Sequence, residues 1–288
     1  MKLIIQPEDG LAPVVRAVRK AKKSIDIAIF RFDQTELEEA LGAAVDRGVI
    51  VRALIAHTNR GGEKTLRKLE LRLLRAGVLV ARTADDLPRY HGKFMVADGV
   101  LHVFGFNYTK LDIEGSRSFG LVTSDAKVVK EAVSLFEADS TRQPYVPAHA
   151  RLVVSPETSR ARLTAFIKAA KKQLLIYDEQ VSDNAIQKIL QERATAGVEV
   201  RVLGKLEKNL EGIERRKLAR YRLHVRAIIR DGAAVFVGSQ SLRKLELDGR
   251  REVGLIIINT KIAKKMMAVF DGDWEASTQG KVAATSAA

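Results

Sequence analysis

The chain has 288 residues, 46% of them hydrophobic and 29% charged, and the absence of cysteine excludes disulfides, thiolate nucleophiles and cysteine-ligated metals. The formal net charge is +14, with 23 basic and 19 acidic residues in 1–150 and 26 basic and 16 acidic residues in 151–288. Such a field attracts anions such as nucleic acid, anionic lipid headgroups or phosphorylated small molecules, and it does not choose among them.

The first half begins as an alternation of strands and helices. Residues 25–30 predict an apolar strand. Apolar residues at i, i+3, i+4 and i+7 then predict a helix with Leu37, Ala40, Leu41 and Ala44 on one face. A glycine follows at the helix end, and the β-branched strand VIVRALIA comes after it. This order is typical of an α/β protein.

The remainder of the first half continues the same pattern. The segment EKTLRKLELRLLR predicts a helix with Leu66, Leu69 and Leu73 on one face. A hairpin follows in MVADGVLHVF, with Asp-Gly at its turn. A further strand then leads into a closing helix at about 125–139.

The second half repeats the first. Residues 170–204 align with 21–55, since both begin with Ala-Lys-Lys, continue into an apolar strand and then show helical spacing. The segment EGIERRKLARYRLHVRAII takes the place of the leucine-rich helix, and IIRDGAAVFV predicts the second Asp-Gly hairpin. Residues 260–275 predict the second closing helix.

The repeat defines the predicted domains and the fold class. We predict a first lobe at 1–145, a second lobe at 150–278 and a disordered tail at 279–288. The two prolines of RQPYVPAHA mark the seam between the lobes. Each lobe is expected to be an α/β/α sandwich with a mixed, largely parallel sheet, and pseudo-twofold symmetry is expected to relate the two.

Two histidines stand at the same place in the two copies. His91 is followed at the second residue by Lys93, and His224 is followed by Arg226. Side chains two apart on a strand project from the same face, so each copy presents an imidazole beside a cation. If the copies pack about a pseudo-twofold axis, these four groups converge in a geometry that suits a phosphodiester. The cations would neutralise the non-bridging oxygens, while one imidazole attacks phosphorus and the other protonates the leaving oxygen.

An aspartate follows each histidine at a hairpin turn. Asp98 and Asp231 both precede glycine, where aspartate is preferred in turns, and we expect them to orient backbone. The histidines at 57, 102 and 149 have no repeat partner and are assigned no role. A lysine and an arginine beside the paired histidines would repel a divalent cation, so we expect metal-independent chemistry without a cofactor.

The first copy resembles the phospholipase D superfamily, whose motif is His-x-Lys-x4-Asp followed by Gly-Ser-x-Asn. His91, Lys93 and Asp98 match the first part in full. The segment FGFNYT resembles the family's longer pattern GSxNxT, with Asn107 and Thr109 kept and with Phe104 and Gly105 where Gly-Ser is expected.

The second copy resembles the same motif with two replacements. His224, Asp231 and the Gly-Ser step at Ser239 are kept. Arg226 stands in place of the lysine, and Ser241 stands in place of the asparagine. A planar guanidinium keeps the charge of lysine but not its shape.

The resemblance also implies an acidic residue downstream of each motif. Glu252 takes that place in the second copy, and Ser118 takes it in the first. We expect Glu252 to orient the ring of His224, which would fix its tautomer and stabilise the imidazolium.

The resemblance implies the phospholipase D fold and a two-step displacement through a phosphohistidine. His91 is expected as the nucleophile and His224 as the general acid and base. The catalytic set is completed by Lys93, Arg226 and Glu252. The residues expected to bind the phosphate are Lys93, Asn107, Arg226, Ser239 and Ser241.

Three functions are compatible with the sequence. The first is a phospholipase D-type phosphodiesterase or phosphatidyltransferase acting on phospholipid. The second is a metal-independent nuclease, which the net charge and the basic residues Arg215–Lys217, Arg220 and Arg222 favour. The third is a catalytically weakened nucleic-acid-binding or scaffold protein.

Location and partners follow from the same features. No uninterrupted apolar run reaches the ~18–20 residues that span a bilayer, and the first ten residues do not resemble a signal peptide. Together with the lack of cysteine, these features lead us to expect a cytoplasmic protein. We expect a monomer because both half-sites lie in one chain. Its expected partners are a phosphodiester substrate and, through the basic half, the surface of an anionic membrane.

Overall fold

The computed structural model describes residues 1–58 and 63–279 and contains two eight-stranded sheets with helices on their faces. The first half contains β1 (Lys2–Gln6), α1 (Ala12–Lys20), β2 (Ser24–Ile29), α2 (Thr35–Asp46), β3 (Ile50–Ile55), α3 (Glu63–Arg75), β4 (Leu79–Arg82), β5 (Phe94–Ala97), β6 (Val100–Phe104), α4 (Lys110–Glu114), β7 (Ser116–Thr123) and α5 (Ala126–Thr141). The second half contains β8 (Leu152–Val154), α6 (Ser159–Lys168), β9 (Gln173–Val181), α7 (Asn184–Thr195), β10 (Glu199–Leu206), β11 (Ile213–Lys217), β12 (Arg222–Leu223), β13 (Arg226–Arg230), β14 (Ala234–Gly238), α8 (Lys244–Asp248), β15 (Val253–Ile258), α9 (Thr260–Glu275) and β16 (Thr278–Gln279).

The two sheets have matching strand orders. The first runs β1-β7-β6-β5-β2-β3-β4, with β12 added beside β7, and the second runs β16-β11-β10-β9-β13-β14-β15-β8. The mixed α/β fold with two lobes is therefore confirmed. Among the strands of the described residues, parallel pairing occurs in β2–β3–β4, in β9–β10–β11 and between β12 and β7, so the parallel part is smaller than predicted. The Asp-Gly hairpins and the returning β7 and β15 make the other pairs antiparallel.

The apolar spacing that predicted helix α2 matches the face that the helix buries. Leu37, Ala40, Leu41 and Ala44 are the buried face of α2. Strand β2 is buried at every residue after its first, because helices cover both faces of the sheet.

One predicted helix is absent from the second half. The segment aligned with α3 forms strand β11, which lies parallel to β10. Only 207–212 separate the end of β10 from the start of β11, whereas 56–78 separate β3 from β4. The shorter connection has no room for a helix of three turns, so the chain adds the next strand directly.

A shared core joins the two lobes. Helices α5 and α9 contribute to a single buried cluster that includes Phe119, Phe136, Tyr177, Phe270 and Trp274, drawn from both halves. Two further clusters each lie within one half. Large aromatic side chains shared in this way favour a fixed arrangement of the lobes.

Two short backbone pairings cross between the lobes. The backbone N–H of His91 donates to Arg251 O at 2.7 Å, and Arg251 N–H donates to Arg89 O at 2.9 Å. In the related position of the other half, β12 pairs with β7, where Arg222 lies opposite Ser116. Each segment that leads into a motif histidine is therefore bound to the opposite lobe.

The structure also bears on membrane-spanning helices and on the predicted tail. No helix within residues 1–58 and 63–279 has the length and apolarity needed to cross a membrane. Of the segment predicted as a disordered tail, 279–288, the first residue ends β16 and the others lie outside the described residues.

The two hairpin aspartates tie each turn to the start of the central strand. Asp98 has φ 47° and accepts hydrogen bonds from the backbone N–H groups of Lys22, Lys23 and Ser24 at 2.7–3.0 Å. Asp231 has φ 53° and accepts in the same way from residues 171–173. Partial burial alone would raise the pKa of Asp98, but the three N–H donors outweigh it and lower the pKa.

Replacing Asp98 with alanine should lower the free energy of unfolding by about 1–2 kcal/mol at neutral pH, because three N–H groups lose a charged acceptor in an exposed turn. Urea unfolding followed by the fluorescence of Trp274 measures the change. The loss should shrink as the pH falls through the lowered pKa of folded Asp98, since a protonated carboxyl is a weaker acceptor.

The matched control is Asp46→Ala. Asp46 is exposed and makes no side-chain hydrogen bond or ion pair with any described residue, so its loss should change stability by less than about 0.5 kcal/mol. Equal losses in the two variants would contradict the structural role of Asp98.

Candidate active site

His91 lies three residues before the start of β5, at the junction of the two lobes. The residue is 7% exposed, and its ring packs edge-to-face against Phe30, with ring centroids 4.6 Å apart. Nδ1 lies 2.8 Å from Oε2 of the fully buried Glu252. Because an ionised carboxylate can only accept a hydrogen bond, this contact places the imidazole proton on Nδ1 and leaves Nε2 with a free lone pair.

The expected partner of Glu252 was wrong. The sequence assigned this carboxylate to His224, but the structure places it on His91 in the opposite lobe. The reason is the backbone pairing of Tyr90 with Arg251, which brings the next residue on each strand together. Pairing between the lobes leaves no local trace in the sequence.

His224 faces a carboxylate that the sequence did not indicate. Its Nδ1 lies 3.3 Å from Oδ2 of Asp112, without the geometry of a hydrogen bond. Asp112 also accepts from the side chain of Asn107 at 2.6 Å and from Arg222 at 2.7 Å. The sequence contained a weak signal for Asp112, because an acidic residue stands at the same spacing in both copies. Asp112 follows Asn107 by five residues, and Glu246 follows Ser241 by five residues. Nothing in the sequence linked either carboxylate to a histidine.

The two motif cations are buried beside these rings. Lys93 is fully buried, and its Nζ donates to the backbone carbonyl of His91 at 2.7 Å. Arg226 is 4% exposed, and one of its terminal nitrogens lies 3.3 Å from Glu179. Its Nε and Nη1 are buried and have no partner among the described residues. Buried guanidinium donors without an acceptor are costly, and an anion in the site would satisfy them.

The similarity to known proteins agrees with this arrangement. The family described as cardiolipin synthase, PLD-like domain, matches residues 14–140 and 163–274. The chain belongs to the phospholipase D-like family.

The curated relatives of this phospholipase D-like chain are mitochondrial cardiolipin hydrolases. The mouse protein is 27% identical over 146 residues, which cover 49% of this chain and 64% of the relative. The human protein is 28% identical over 131 residues, which cover 45% and 50%. The chain therefore spans between half and two thirds of the length of these relatives.

Solved structures share the fold at low sequence identity. A polyphosphate kinase from Porphyromonas gingivalis matches 95% of this chain and 50% of its own, with a TM-score of 0.78 and 18% identity. A phosphatidylserine synthase from Haemophilus influenzae Rd KW20 matches 97% of this chain and 87% of its own, with a TM-score of 0.74 and 10% identity.

The electrostatics of this phospholipase D-like site keep both imidazoles neutral. Burial lowers the pKa of His91 well below its ordinary value, and the charges of Lys93 and Arg226 lower it further. Burial and the same two cations lower the pKa of His224, with additional contributions from Arg222 and His91. The two rings thus share one cationic field although they come from different halves of the chain.

The lysine and the glutamate of the site have pKa values shifted towards neutrality. Burial lowers the pKa of Lys93 to about 7, although Glu252 opposes this shift. Burial raises the pKa of Glu252 to about 7, although Lys93 opposes this shift. Both shifts arise because a charge is poorly solvated in the interior.

The other residues predicted to bind phosphate are bonded within the protein. The hydroxyl of Ser239 accepts from Val253 N–H at 3.0 Å, and that of Ser241 donates to Asp178. The amide of Asn107 donates to Asp112. These three side chains therefore support the strands and carboxylates around the histidines.

The described residues contain no group of three or more histidine or acidic side chains spaced to hold a metal ion. The candidate site brings together the imidazoles of His91 and His224, the carboxylates beside them and the two motif cations.

Removing Glu252 should disturb His91 and leave His224 unchanged. In wild-type protein above pH 7, where Glu252 is ionised, long-range ¹H–¹⁵N NMR should find the proton of His91 on Nδ1. The His91 ring should stay neutral even at a pH where a free imidazole of pKa about 6.5 is charged. Glu252→Ala should remove this tautomer preference, because Nδ1 loses its acceptor.

Asp112→Asn provides the reciprocal measurement and should shift the resonances of His224 alone. If Glu252→Ala instead altered the His224 tautomer, the pairing described here would be wrong.

Proposed function

We propose that this protein is a phosphodiesterase or phosphatidyltransferase of the phospholipase D type that cleaves or exchanges a phosphodiester of a phospholipid. The observation that carries the proposal is the meeting of His91 and His224 in one buried cationic field. The unpartnered donors of Arg226, beside buried Lys93, provide a place for the non-bridging phosphate oxygens.

In the first step, Nε2 of His91 attacks phosphorus. The hydrogen bond from Nδ1 to Glu252 supports this role, since it leaves the lone pair on Nε2. The bond from phosphorus to the leaving alcohol breaks, and protonated His224 donates a proton to that oxygen. The bound phosphodiester supplies a negative charge that offsets Lys93 and Arg226, so it raises the pKa of His224 from its value in the empty site.

In the second step, His224 is neutral and accepts a proton from water or from a second alcohol. The oxygen of that molecule attacks phosphorus, and the bond to Nε2 of His91 breaks. Water gives hydrolysis, and an alcohol gives transfer. Both outcomes restore His224 to its protonated state.

Phospholipid is the preferred substrate class for two reasons. The curated relatives are named cardiolipin hydrolases. In addition, part of the basic segment that favoured a nuclease is already engaged, because Arg222 is paired with Asp112 and the Arg216 guanidinium lies 4.4 Å from the Trp274 ring. We propose that the protein acts as a monomer at the surface of an anionic membrane.

A stalled intermediate distinguishes the roles of the two histidines. With bis(p-nitrophenyl) phosphate, the leaving nitrophenolate needs no proton, so His224→Asn should release about one equivalent per protein and then stop. His91→Asn should give no burst. Mass spectrometry should find an acid-labile, base-stable phosphoryl adduct on His91 of the stalled variant.

His149→Asn is the matched control and should retain wild-type turnover. His149 lies in the segment between the two predicted lobes, where its Nδ1 accepts from the backbone N–H of Arg151 at 3.2 Å. A burst in His91→Asn and none in His224→Asn would exchange the two roles. Absence of turnover in wild-type protein with EDTA, on this ester, phosphatidylglycerol, cardiolipin, single-stranded DNA and polyphosphate, would favour the scaffold alternative.

The pH dependence of kcat/KM should be bell-shaped with a maximum near neutrality. Glu252, with its pKa raised to about 7, must be ionised to hold His91, so activity should rise with pH on the acid side. Lys93, with its pKa lowered to about 7, must be charged to hold phosphate, so activity should fall on the alkaline side.

Lys93→Arg tests the alkaline limb, because a guanidinium stays charged throughout this range, as in the natural arginine of the second motif. With bis(p-nitrophenyl) phosphate, whose leaving group needs no proton from His224, the kcat/KM of this variant should stay constant above pH 8, whatever its absolute value. A wild-type rate that rises through pH 9 would contradict the assignment of Lys93.

A further inference from the structure

A cleft of about 540 Å³ lies at the far end of β5 from the histidines. Strand β5 begins next to Lys93 and ends at Ala97, which forms part of the cleft wall. Helix α1, strands β1, β6 and β7 and the turn between β5 and β6 form the rest of the walls. The cleft is therefore separate from the candidate active site, although one strand connects them.

The rim of the cleft is cationic. Lys2, Arg16 and Lys20 line it, are exposed and make no ion pair with any described residue. The two carboxylates of the lining, Asp9 and Asp98, already accept backbone hydrogen bonds from Ile5 and from residues 22–24. The three cations thus outnumber the two carboxylates of the lining, and the carboxylates are held by backbone N–H groups and make no ion pair with these cations.

The inner wall of the cleft is apolar and uncharged. Leu3, Ala17, Ala97 and Val122 contribute to it. His102 also lines the wall, and burial together with the charge of Lys2 lowers its pKa to about 4, so its ring is neutral. The cleft therefore combines an apolar interior with a cationic rim.

The other lobe provides an internal comparison, because the same place is filled there. Ala17 precedes the first Ala-Lys-Lys by four residues, and Phe166 precedes the second by four. Ala97 follows His91 by six residues, and Arg230 follows its own histidine by six.

In the second lobe these larger side chains occupy the space. Phe166 is buried, the guanidinium of Arg230 lies 4.5 Å from its ring centroid, and Arg230 donates to the Phe166 carbonyl at 3.1 Å. Two alanines in the first lobe leave the equivalent space open. The cleft is thus a local difference between the repeats and not a general consequence of the fold.

We propose that this cleft binds a small organic anion that places its apolar body against the two alanines and its anionic head between Lys2, Arg16 and Lys20. The volume lies within the ~300–1,000 Å³ usual for small-molecule sites, and the apolar wall with a few convergent charges is typical of them. Fatty acids and alkyl phosphates share this chemistry.

Isothermal titration of the full chain with decanoate, decyl phosphate and inorganic phosphate, below the micellar concentration of the amphiphiles, tests the proposal. At least one amphiphile should bind at this cleft, at least tenfold more tightly than inorganic phosphate. Binding of decanoate alone identifies a carboxylate ligand, and binding of decyl phosphate alone identifies a phosphate monoester. Binding of both shows that the cleft recognises the negative charge and not the type of head group. Absence of amphiphile binding, or equal binding of inorganic phosphate, would overturn the proposal.

Ala17→Phe locates the binding. It copies the residue that the second lobe tolerates at the equivalent position, and it should weaken amphiphile binding at least tenfold. The double variant Arg16→Gln/Lys20→Gln changes exposed side chains only, so it keeps the test valid if the phenylalanine variant fails to fold. It should weaken binding at least fivefold.

Arg19→Gln is the control. It removes one positive charge from the same helix but outside the cleft, where Arg19 pairs with Glu36. This variant and His91→Asn should bind the amphiphile as wild type does. Unchanged binding in the double variant, or an equal loss in Arg19→Gln, would overturn the proposal, and neither outcome depends on catalytic activity.

Discussion

The site depends on two short backbone pairings that cross between the lobes. Arg251 pairs with the segment that ends in His91, and Arg222 pairs with the start of β7. Through these contacts each histidine is held by the opposite lobe, and Glu252 meets His91 although the two belong to different copies of the repeat. Because the aromatic core around α5 and α9 is also shared, the lobes have little freedom to separate the two rings.

Burial of charge at this junction sets the chemistry that the site can perform. Lys93, Arg226 and Glu252 are all buried, and the interior shifts the pKa of the lysine and of the glutamate to about 7. Buried Nε and Nη1 of Arg226 have no acceptor among the described residues, which is unfavourable. A phosphodiester would relieve this cost, so the energy of the folded state and the binding of an anion are linked.

The two halves are not equivalent in detail. His91 has a short hydrogen bond to a fully buried carboxylate, while His224 has a longer and poorly aligned contact with Asp112. A firmly oriented ring suits a nucleophile, and a less constrained ring suits a group that gives and receives protons. The same divergence appears away from the site, where Phe166 fills a space that Ala17 leaves open.

The sequence by itself determined the duplication, the α/β class, the hairpins and the identity of the paired histidines and cations. These features are local, because helical spacing, Asp-Gly turns and a two-residue strand period are properties of neighbouring residues. The tertiary structure alone decided that Glu252 serves His91, that Asp112 lies beside His224 and that β11 takes the place of a helix. Those outcomes depend on which strands pair across the lobes and on the length and volume available at each position, and neither is encoded in any short segment of the chain.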